Sequence, residues 1–235
     1  MSQKHIPLLR EAQVALGAGQ AGRAVRHLRQ ALQYRPADPD VLSLLAVALF
    51  EAGEPAAALE AARRATVAGP ASARAHYNRA VLLRRTGDPE AALEELAQVL
   101  ELAPDHPAAR VEQAQSLVEL GRLLPAVRAL ADHRRTFPDD VEAVRDLAIF
   151  AERAGDWATA ADAWAALAGK GSDSGEAEIR LVAVLAEQHG SAAASTRVGP
   201  READRPQLRH ALDKALSHAG RGMLRLRPQQ TTNSR

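Results

Sequence analysis

Apolar residues recur along this chain with the 3.6-residue period of amphipathic helices, and short polar stretches separate the runs. Val41, Leu45 and Leu49 fall on one side of a first predicted helix. Ala58 and Ala62 fall on one side of a second helix that follows a turn. Such spacing places each apolar set on a single helix face. The pattern therefore predicts two amphipathic helices that pack against each other.

This pair of helices repeats with a step of 34 residues. Glycines in the predicted turns keep this step, and so do prolines at the ends of the units: Gly19, Gly53, Gly87, Gly121 and Gly155, and Pro36, Pro70, Pro104 and Pro138. A fixed period of this size is the signature of helix-turn-helix units stacked on copies of themselves. The sequence thus predicts an all-α solenoid with no globular centre.

The repeat step also predicts the organisation of the chain. We expect five full repeats, a partial sixth, a flexible linker, an amphipathic capping helix and a disordered basic tail. Their bounds are 5–38, 39–72, 73–106, 107–140, 141–174, 175–189, 190–205, 206–220 and 221–235. The capping helix is expected because an open stack needs a terminal helix with one polar face.

Polar residues and glycines at the predicted helix ends indicate how the turns form. Ser72, Asp88, Asp105 and Asp156 stand where a side chain can cap a helix N-terminus. The repeated glycines end the first helices, where a positive φ suits glycine and strains other residues. We therefore expect each repeated glycine to shape a turn and contribute to stability.

Small residues at two further positions of the unit keep the same 34-residue step. The first set is Ala12, Ala46, Ala80, Ala114 and Ala148, and the second is Ala24, Ala58, Ala92, Ala126 and Ala160. With the glycines and prolines, these positions resemble the tetratricopeptide repeat family from about His5 to Ala168. The resemblance implies a right-handed superhelical solenoid that binds proteins. Glu11, Arg79 and Gln113 depart from it, since the family usually carries a large apolar residue there.

Charge is close to balanced overall, at +1, but residues 201–235 hold eight Lys or Arg against three acidic residues. A basic tail of this kind allows contacts of Arg221, Arg225, Arg227 and Arg235 with nucleic acid, a disfavoured alternative because the tail lacks aromatic residues. The absence of cysteine excludes disulfides and thiolate metal sites. No apolar run is long enough to span a membrane, and the polar amino terminus predicts a cytoplasmic protein.

The motifs that could carry chemistry have simpler structural interpretations. The segment 17–22 has the glycine spacing of a dinucleotide fingerprint, but no strand precedes it, so an inter-helix turn is expected. The segment 169–172 and the pair His210 and Asp213 are too incomplete to predict a phosphate or metal site. The acidic neighbours Glu94 and Glu95, and likewise Asp139 and Asp140, are expected to face solvent. We therefore predict a non-enzymatic protein without a cofactor.

The resemblance to the tetratricopeptide repeat family implies a concave groove lined by the first helices. The predicted function is binding of a peptide or helical segment of a partner protein in that groove. The candidate contacts are the groove-facing residues outside the small-residue positions: Leu44, Phe50, Arg74, Tyr77, Asn78, Arg85, Glu112, Gln115, Arg145 and Asp146. Their mixed charges predict a modest, salt-sensitive affinity. The basic and amide residues that grip chaperone tails in some relatives are absent except for Asn78. An accessory subunit of an enzyme assembly, for example in envelope or glycan biogenesis, is a further alternative.

Overall fold

The computed structural model describes residues 5–168 and 174–189, and all regular structure in these ranges is α-helical. The helices are α1 His5–Gly17, α2 Ala21–Tyr34, α3 Pro39–Glu51, α4 Pro55–Ala68, α5 Ala73–Arg85, α6 Pro89–Leu102, α7 Ala109–Glu119, α8 Leu123–Thr136, α9 Val141–Ala154, α10 Trp157–Leu167 and α11 Ser174–His189. The predicted all-helical fold class is confirmed. The chain forms two compact units, unit 1 with Met1–Ala129 and unit 2 with Leu130–Arg235.

Unit 1 is built from helical hairpins that follow each other in chain order. The helices α1 and α2, α3 and α4, and α5 and α6 pack as pairs, and α2, α4 and α6 each pack against the helix that follows. The first helices α3 and α5 also contact each other directly. The first helices α1, α3 and α5 therefore each pack against their own second helix, and α5 also contacts the first helices α3 and α7.

Alanines lie at the points where these helices cross. In unit 1 the repeated alanines are at most 1% exposed: Ala12, Ala24, Ala46, Ala58, Ala80, Ala92, Ala114 and Ala126. The distance between two packed helices depends on the side chains at their contact, and a methyl group permits a close approach. Larger buried residues, such as Leu28 and Leu96, fill the space between the crossing points. The 34-residue step of the alanines therefore indicates that the helices pack in the same way in each repeat.

The predicted N-caps at Ser72, Asp88 and Asp156 are confirmed. Each side chain accepts a hydrogen bond from a backbone amide of the first helical turn, at 3.1 to 3.2 Å. The predicted cap at Asp105 is wrong, because α7 begins at Ala109 and the residue before it, Ala108, has no side chain that could accept a hydrogen bond. A short run of turns between α6 and α7 moves the helix start beyond the reach of Asp105.

The five repeated glycines all have positive φ, between 68° and 90°, and all lie between the two helices of a hairpin. Gly19 is one of them, so segment 17–22 is the turn between α1 and α2 rather than a nucleotide-binding loop. At Gly53, a Cβ atom would meet no atom within 4 Å. Its strain would come only from the left-handed backbone, which L-residues adopt at a cost.

We expect Gly53→Ala to lower the free energy of unfolding of unit 1 by about 1 kcal/mol, because alanine is strained at this φ of 80°. Gly22→Ala is the matched control, since Gly22 lies inside α2 with open space around it and no positive φ. We expect this control to be neutral or slightly stabilising, because alanine favours helix. Urea denaturation followed by circular dichroism compares the two variants. Equal effects of both would contradict the assigned turn.

Unit 2 contains α9, α10 and α11, in which α10 packs against both neighbours. Trp164 lies at the centre of this packing and is 3% exposed. Its Nε1 donates a hydrogen bond to Oε1 of Glu152 on α9 at 2.5 Å. Arg180 on α11 lies over the indole ring and is 3.4 Å from the other oxygen of Glu152. One aromatic side chain thus connects all three helices.

Several predicted features lie outside the described residues. These are the segment 169–172, the linker 190–205, the capping helix 206–220 with His210 and Asp213, and the basic tail 221–235. Over the part of the chain that the structure describes, no helix has the length and apolar character needed to cross a membrane.

Candidate functional site

Eight of the ten candidate contacts lie in unit 1, on the first helices α3, α5 and α7. We call this surface the first-helix face. It comprises these predicted contacts, the partly exposed apolar residues beside them on α3 and α5, and the residues that pair with their charged groups. The predicted contacts are Leu44, Phe50, Arg74, Tyr77, Asn78, Arg85, Glu112 and Gln115. The spacing along α5 shows why they share a side, since residues three, four and seven positions apart lie on one helix face. The face has three components, which are an aromatic and apolar part, a set of ion pairs and two amides.

The aromatic part is formed by Tyr77 and its surroundings. The Tyr77 ring packs on the His106 ring with 4.7 Å between centroids, and its inner edge joins the core of the third repeat. Burial raises the pKa of the Tyr77 hydroxyl, the negative charge of Glu112 raises it further, and Arg84 opposes this. The hydroxyl therefore stays protonated and can donate a hydrogen bond at the edge of a partly apolar surface.

Arg84, which was not among the predicted contacts, forms the central ion pair of the face. Its Nε donates to Glu112 and its Nη1 donates to Glu119, both at 2.8 Å. Arg84 and Glu112 are partly buried, with side chains 18% and 16% exposed. Burial opposes the charge of Arg84, but the two carboxylates together raise its pKa above its ordinary value. Glu112 was predicted to contact a partner, and it is already engaged within the chain.

The two other arginines of the face pair with acidic residues of the preceding repeat. Arg74 lies 3.7 Å from Asp40, and Arg85 lies 3.5 Å from Glu51. The guanidinium of Arg85 also lies 4.3 Å above the centre of the Phe50 ring, within the range of a cation–π interaction. Both pairs join residues 34 positions apart. Opposite charges 34 positions apart in the sequence therefore indicate an ion pair between neighbouring repeats. The pattern along a single helix does not contain this signal.

The amides of Asn78 and Gln115 form the third component. Both side chains are partly buried, and neither has a hydrogen-bond partner among the residues that the structure describes. Each amide offers two N–H donors and a carbonyl acceptor. These donors and acceptors have no partner among the described residues, whereas the charged groups beside them are paired.

The remaining two candidates, Arg145 and Asp146, lie on α9 in unit 2. Arg145 is 3.7 Å from Glu142 one turn earlier in the same helix. Asp146 is half-buried, and burial raises its pKa, with further increases from Glu142 and Asp140 and an opposing effect of Arg145. Both side chains have neighbouring charges within unit 2, so we treat them separately from the first-helix face.

The prediction that Glu95 faces solvent is wrong. Its side chain is 13% exposed and lies between α5 and α6, where Oε1 accepts from Arg79 at 2.6 Å and Oε2 lies 2.7 Å from Nδ1 of His76. The other nitrogen of His76 is 3.1 Å from the carbonyl oxygen of Pro70. Arg79 occupies the position where the sequence already departed from the apolar pattern. Glu95 supplies the hydrogen-bond acceptor for this partly buried arginine.

The pair Asp139 and Asp140 was also expected to face solvent, and Asp140 is in fact a helix cap. It accepts a hydrogen bond from the amide of Ala143 at 3.1 Å, and Nε2 of the buried His133 lies 2.9 Å from its other oxygen. Burial alone would raise the pKa of Asp140, but the amide of Ala143 and then His133 outweigh it and lower the pKa. Glu95 and Asp140 thus have structural roles.

Within residues 5–168 and 174–189, no three histidine or acidic side chains lie close enough together to hold a metal ion.

Comparison with known proteins agrees with this architecture. The sequence model of the tetratricopeptide repeat matches residues 15–82 and 83–148, which together exceed half of the chain. A search of curated protein sequences finds no significant match.

Solved structures share the fold at low sequence identity. The solved chain of MamA from Desulfovibrio magneticus RS-1, from residue 41 to the end, superposes with a TM-score of 0.62 at 21% identity, covering 70% of this chain and 93% of that one. PilF of Pseudomonas aeruginosa superposes with a TM-score of 0.68 at 16% identity, covering 89% and 97%. A chain of the Naa15/Naa10 complex bound to HypK-THB gives 0.66 at 18% identity, covering 95% of this chain and 35% of that one. At these identities the likeness concerns the fold alone.

Proposed function

Because the chain belongs to the tetratricopeptide repeat family, we propose that it is a non-enzymatic scaffold that binds a segment of a partner protein on the first-helix face of unit 1. Repeat solenoids use extended surfaces of this kind for binding. The observation that carries the proposal is that Asn78 and Gln115, beside the partly exposed Tyr77 ring, have no hydrogen-bond partner among the described residues. Amides and an aromatic ring provide hydrogen bonds and apolar contact area at modest entropic cost.

The proposal includes the five repeats predicted from the sequence and a cytoplasmic location. The repeat bounds 5–38 to 141–174 assign one hairpin to each repeat. Arg145 and Asp146 are proposed as further contacts, made by unit 2. A scaffold of this kind requires no cofactor, since its activity consists of binding.

Site-specific photo-crosslinking tests the proposed surface. A photoreactive p-azidophenylalanine replaces Asn78 in one variant and Glu94 in the other. Glu94 is exposed on α6, the second helix of the same repeat, so it reports on the opposite side of the hairpin. We expect irradiation in a native lysate to link a discrete protein to position 78 and not to position 94.

The same experiment distinguishes other binding modes. Linkage of the same proteins to both positions, or to position 94 alone, would contradict binding on the first-helix face. Products that disappear after nuclease treatment would instead indicate contact through nucleic acid, as the basic tail 221–235 would provide. Circular dichroism of both variants verifies that the photoreactive residue leaves the helical content unchanged.

A further inference from the structure

The charged groups of the first-helix face form ion pairs with one another within the protein. Three arginines, Arg74, Arg84 and Arg85, stand on α5 between carboxylates of α3 on one side and of α7 on the other. The carboxylates are Asp40, Glu51, Glu112 and Glu119. This arrangement neutralises nearly all the charge of the face. Mixed charge in the sequence predicted a salt-sensitive site, whereas paired charge favours the opposite.

A charged partner would have to separate these pairs. An acidic peptide that recruits Arg84 would leave Glu112, a mostly buried carboxylate, without the hydrogen bond from Nε of Arg84. Leaving a buried charge unpaired is costly, and the new pair would have to offset that cost. Arg74 and Arg85 are more exposed, but each also has an acidic neighbour. The face therefore offers little to a peptide that relies on its charges.

Uncharged groups of the face remain available. Leu44, Val47, Tyr77 and Val81 are partly exposed along α3 and α5, so their apolar surface is not yet fully buried. Asn78 on α5 and Gln115 on α7 add amide groups without partners among the described residues. A helical peptide satisfies its own backbone groups, whereas an extended peptide keeps N–H and C=O groups that such amides can bind.

We infer that the first-helix face of unit 1 recognises an extended, uncharged segment with apolar side chains, and that the Arg84 ion pairs with Glu112 and Glu119 exclude acidic segments. The inference rests on the proposed function, because it names the chemistry of the segment bound there. Recognition combines apolar contacts with hydrogen bonds from Asn78 and Gln115 to the peptide backbone. The specificity comes from the existing ion pairs, which make the binding of an acidic segment unfavourable.

Selection from a phage-displayed library of random peptides against the full chain tests this inference. We expect enrichment of peptides rich in apolar residues and poor in Asp, Glu, Lys and Arg. Raising the ionic strength from about 0.1 M to about 1 M shortens the Debye length from about 10 Å to about 3 Å. An enriched peptide should change its Kd by less than about twofold over this range, because few charges are screened. The double variant Asn78→Ala, Gln115→Ala should weaken binding at least about tenfold, whereas Glu94→Ala should not.

A gain-of-function variant tests the role of the ion pairs directly. Glu112→Gln with Glu119→Gln keeps the side-chain shapes and releases Arg84 from both carboxylates. We expect this variant to enrich acidic peptides that the wild-type chain rejects. A thermal melt by circular dichroism verifies that the variant is folded.

The outcomes separate this inference from the proposed function. Enrichment of charged peptides by the wild-type chain, with binding lost in the Asn78 and Gln115 variant, would overturn the inference and support binding on the first-helix face. Peptides that bind the Asn78 and Gln115 variant as well as the wild type, or no enrichment at all, would overturn both. Failure of the Glu112 and Glu119 variant to gain acidic peptides would refute the exclusion mechanism.

Discussion

Replacing Trp164 by alanine is expected to destabilise unit 2 by about 3–5 kcal/mol, the range for truncating a buried tryptophan. The indole is 3% exposed and is enclosed by α9, α10 and α11. Truncation removes this contact area and leaves a cavity, and it also removes the Nε1 donor to Glu152. Hydrogen exchange followed by mass spectrometry measures the effect locally. Faster exchange is expected in peptides from α9, α10 and α11.

Trp164→Leu is the matched control. The equivalent positions of the first, third and fourth repeats are Leu28, Leu96 and Leu130, all at most 1% exposed. Leucine therefore suits this position of the unit, and Glu152 would keep its contact with Arg180. We expect a loss below about 2 kcal/mol, since the substitution retains apolar volume. Equal destabilisation by alanine and leucine, or unchanged exchange in both variants, would contradict a packing role for Trp164.

Replacing Glu95 by alanine is expected to destabilise unit 1 by about 2 kcal/mol, because two partly buried cationic or polar partners lose their acceptor. Arg79 and His76 both contact this carboxylate, at 2.6 and 2.7 Å. Their side chains are 29% and 12% exposed, so water compensates only in part. Urea denaturation followed by circular dichroism measures the change in the free energy of unfolding.

The second repeat provides the control for this prediction. Leu42, Leu45 and Ala61 occupy its positions equivalent to His76, Arg79 and Glu95, and all three are at most 5% exposed. The triple variant His76→Leu, Arg79→Leu, Glu95→Ala copies this apolar arrangement into the third repeat. We expect it to recover most of the stability lost in Glu95→Ala, because replacing a whole buried ionic group by apolar residues is often neutral. A triple variant less stable than the single one would show that the polar cluster has a further role.

The first repeat, like the third, carries a polar pair at positions where the second repeat has apolar residues. Glu11 and His27 stand at the positions of Arg79 and Glu95, and Oε2 of Glu11 lies 3.1 Å from Nδ1 of His27. Two polar residues 16 positions apart thus replace an apolar pair in two of the repeats. The sequence showed the departure at Glu11 and Arg79 on the first helices. It did not show the compensation, because the partner lies on the other helix of the hairpin.

The sequence by itself determined the features that recur with the 34-residue step. The helices, the glycines with positive φ, the alanines at the crossing points and the family follow from residues that recur every 34 positions. Local rules suffice for them, because helix periodicity, caps and turns depend on near neighbours in the chain. The helix cap predicted at Asp105 was wrong because a short run of turns separates Asp105 from the start of α7.

Only the tertiary structure decided which polar groups remain available for binding. Glu112 and Glu95 look alike in the sequence, as acidic residues on amphipathic helices, and both are engaged by arginines brought near by folding. Asn78 stands beside them without a partner in the described part of the chain. Pairing between residues 16, 28 or 34 positions apart depends on how helices pack in space, and a pattern along a single helix does not contain that distance. The candidate surface was therefore located by the repeat, and its chemistry was set by the packing.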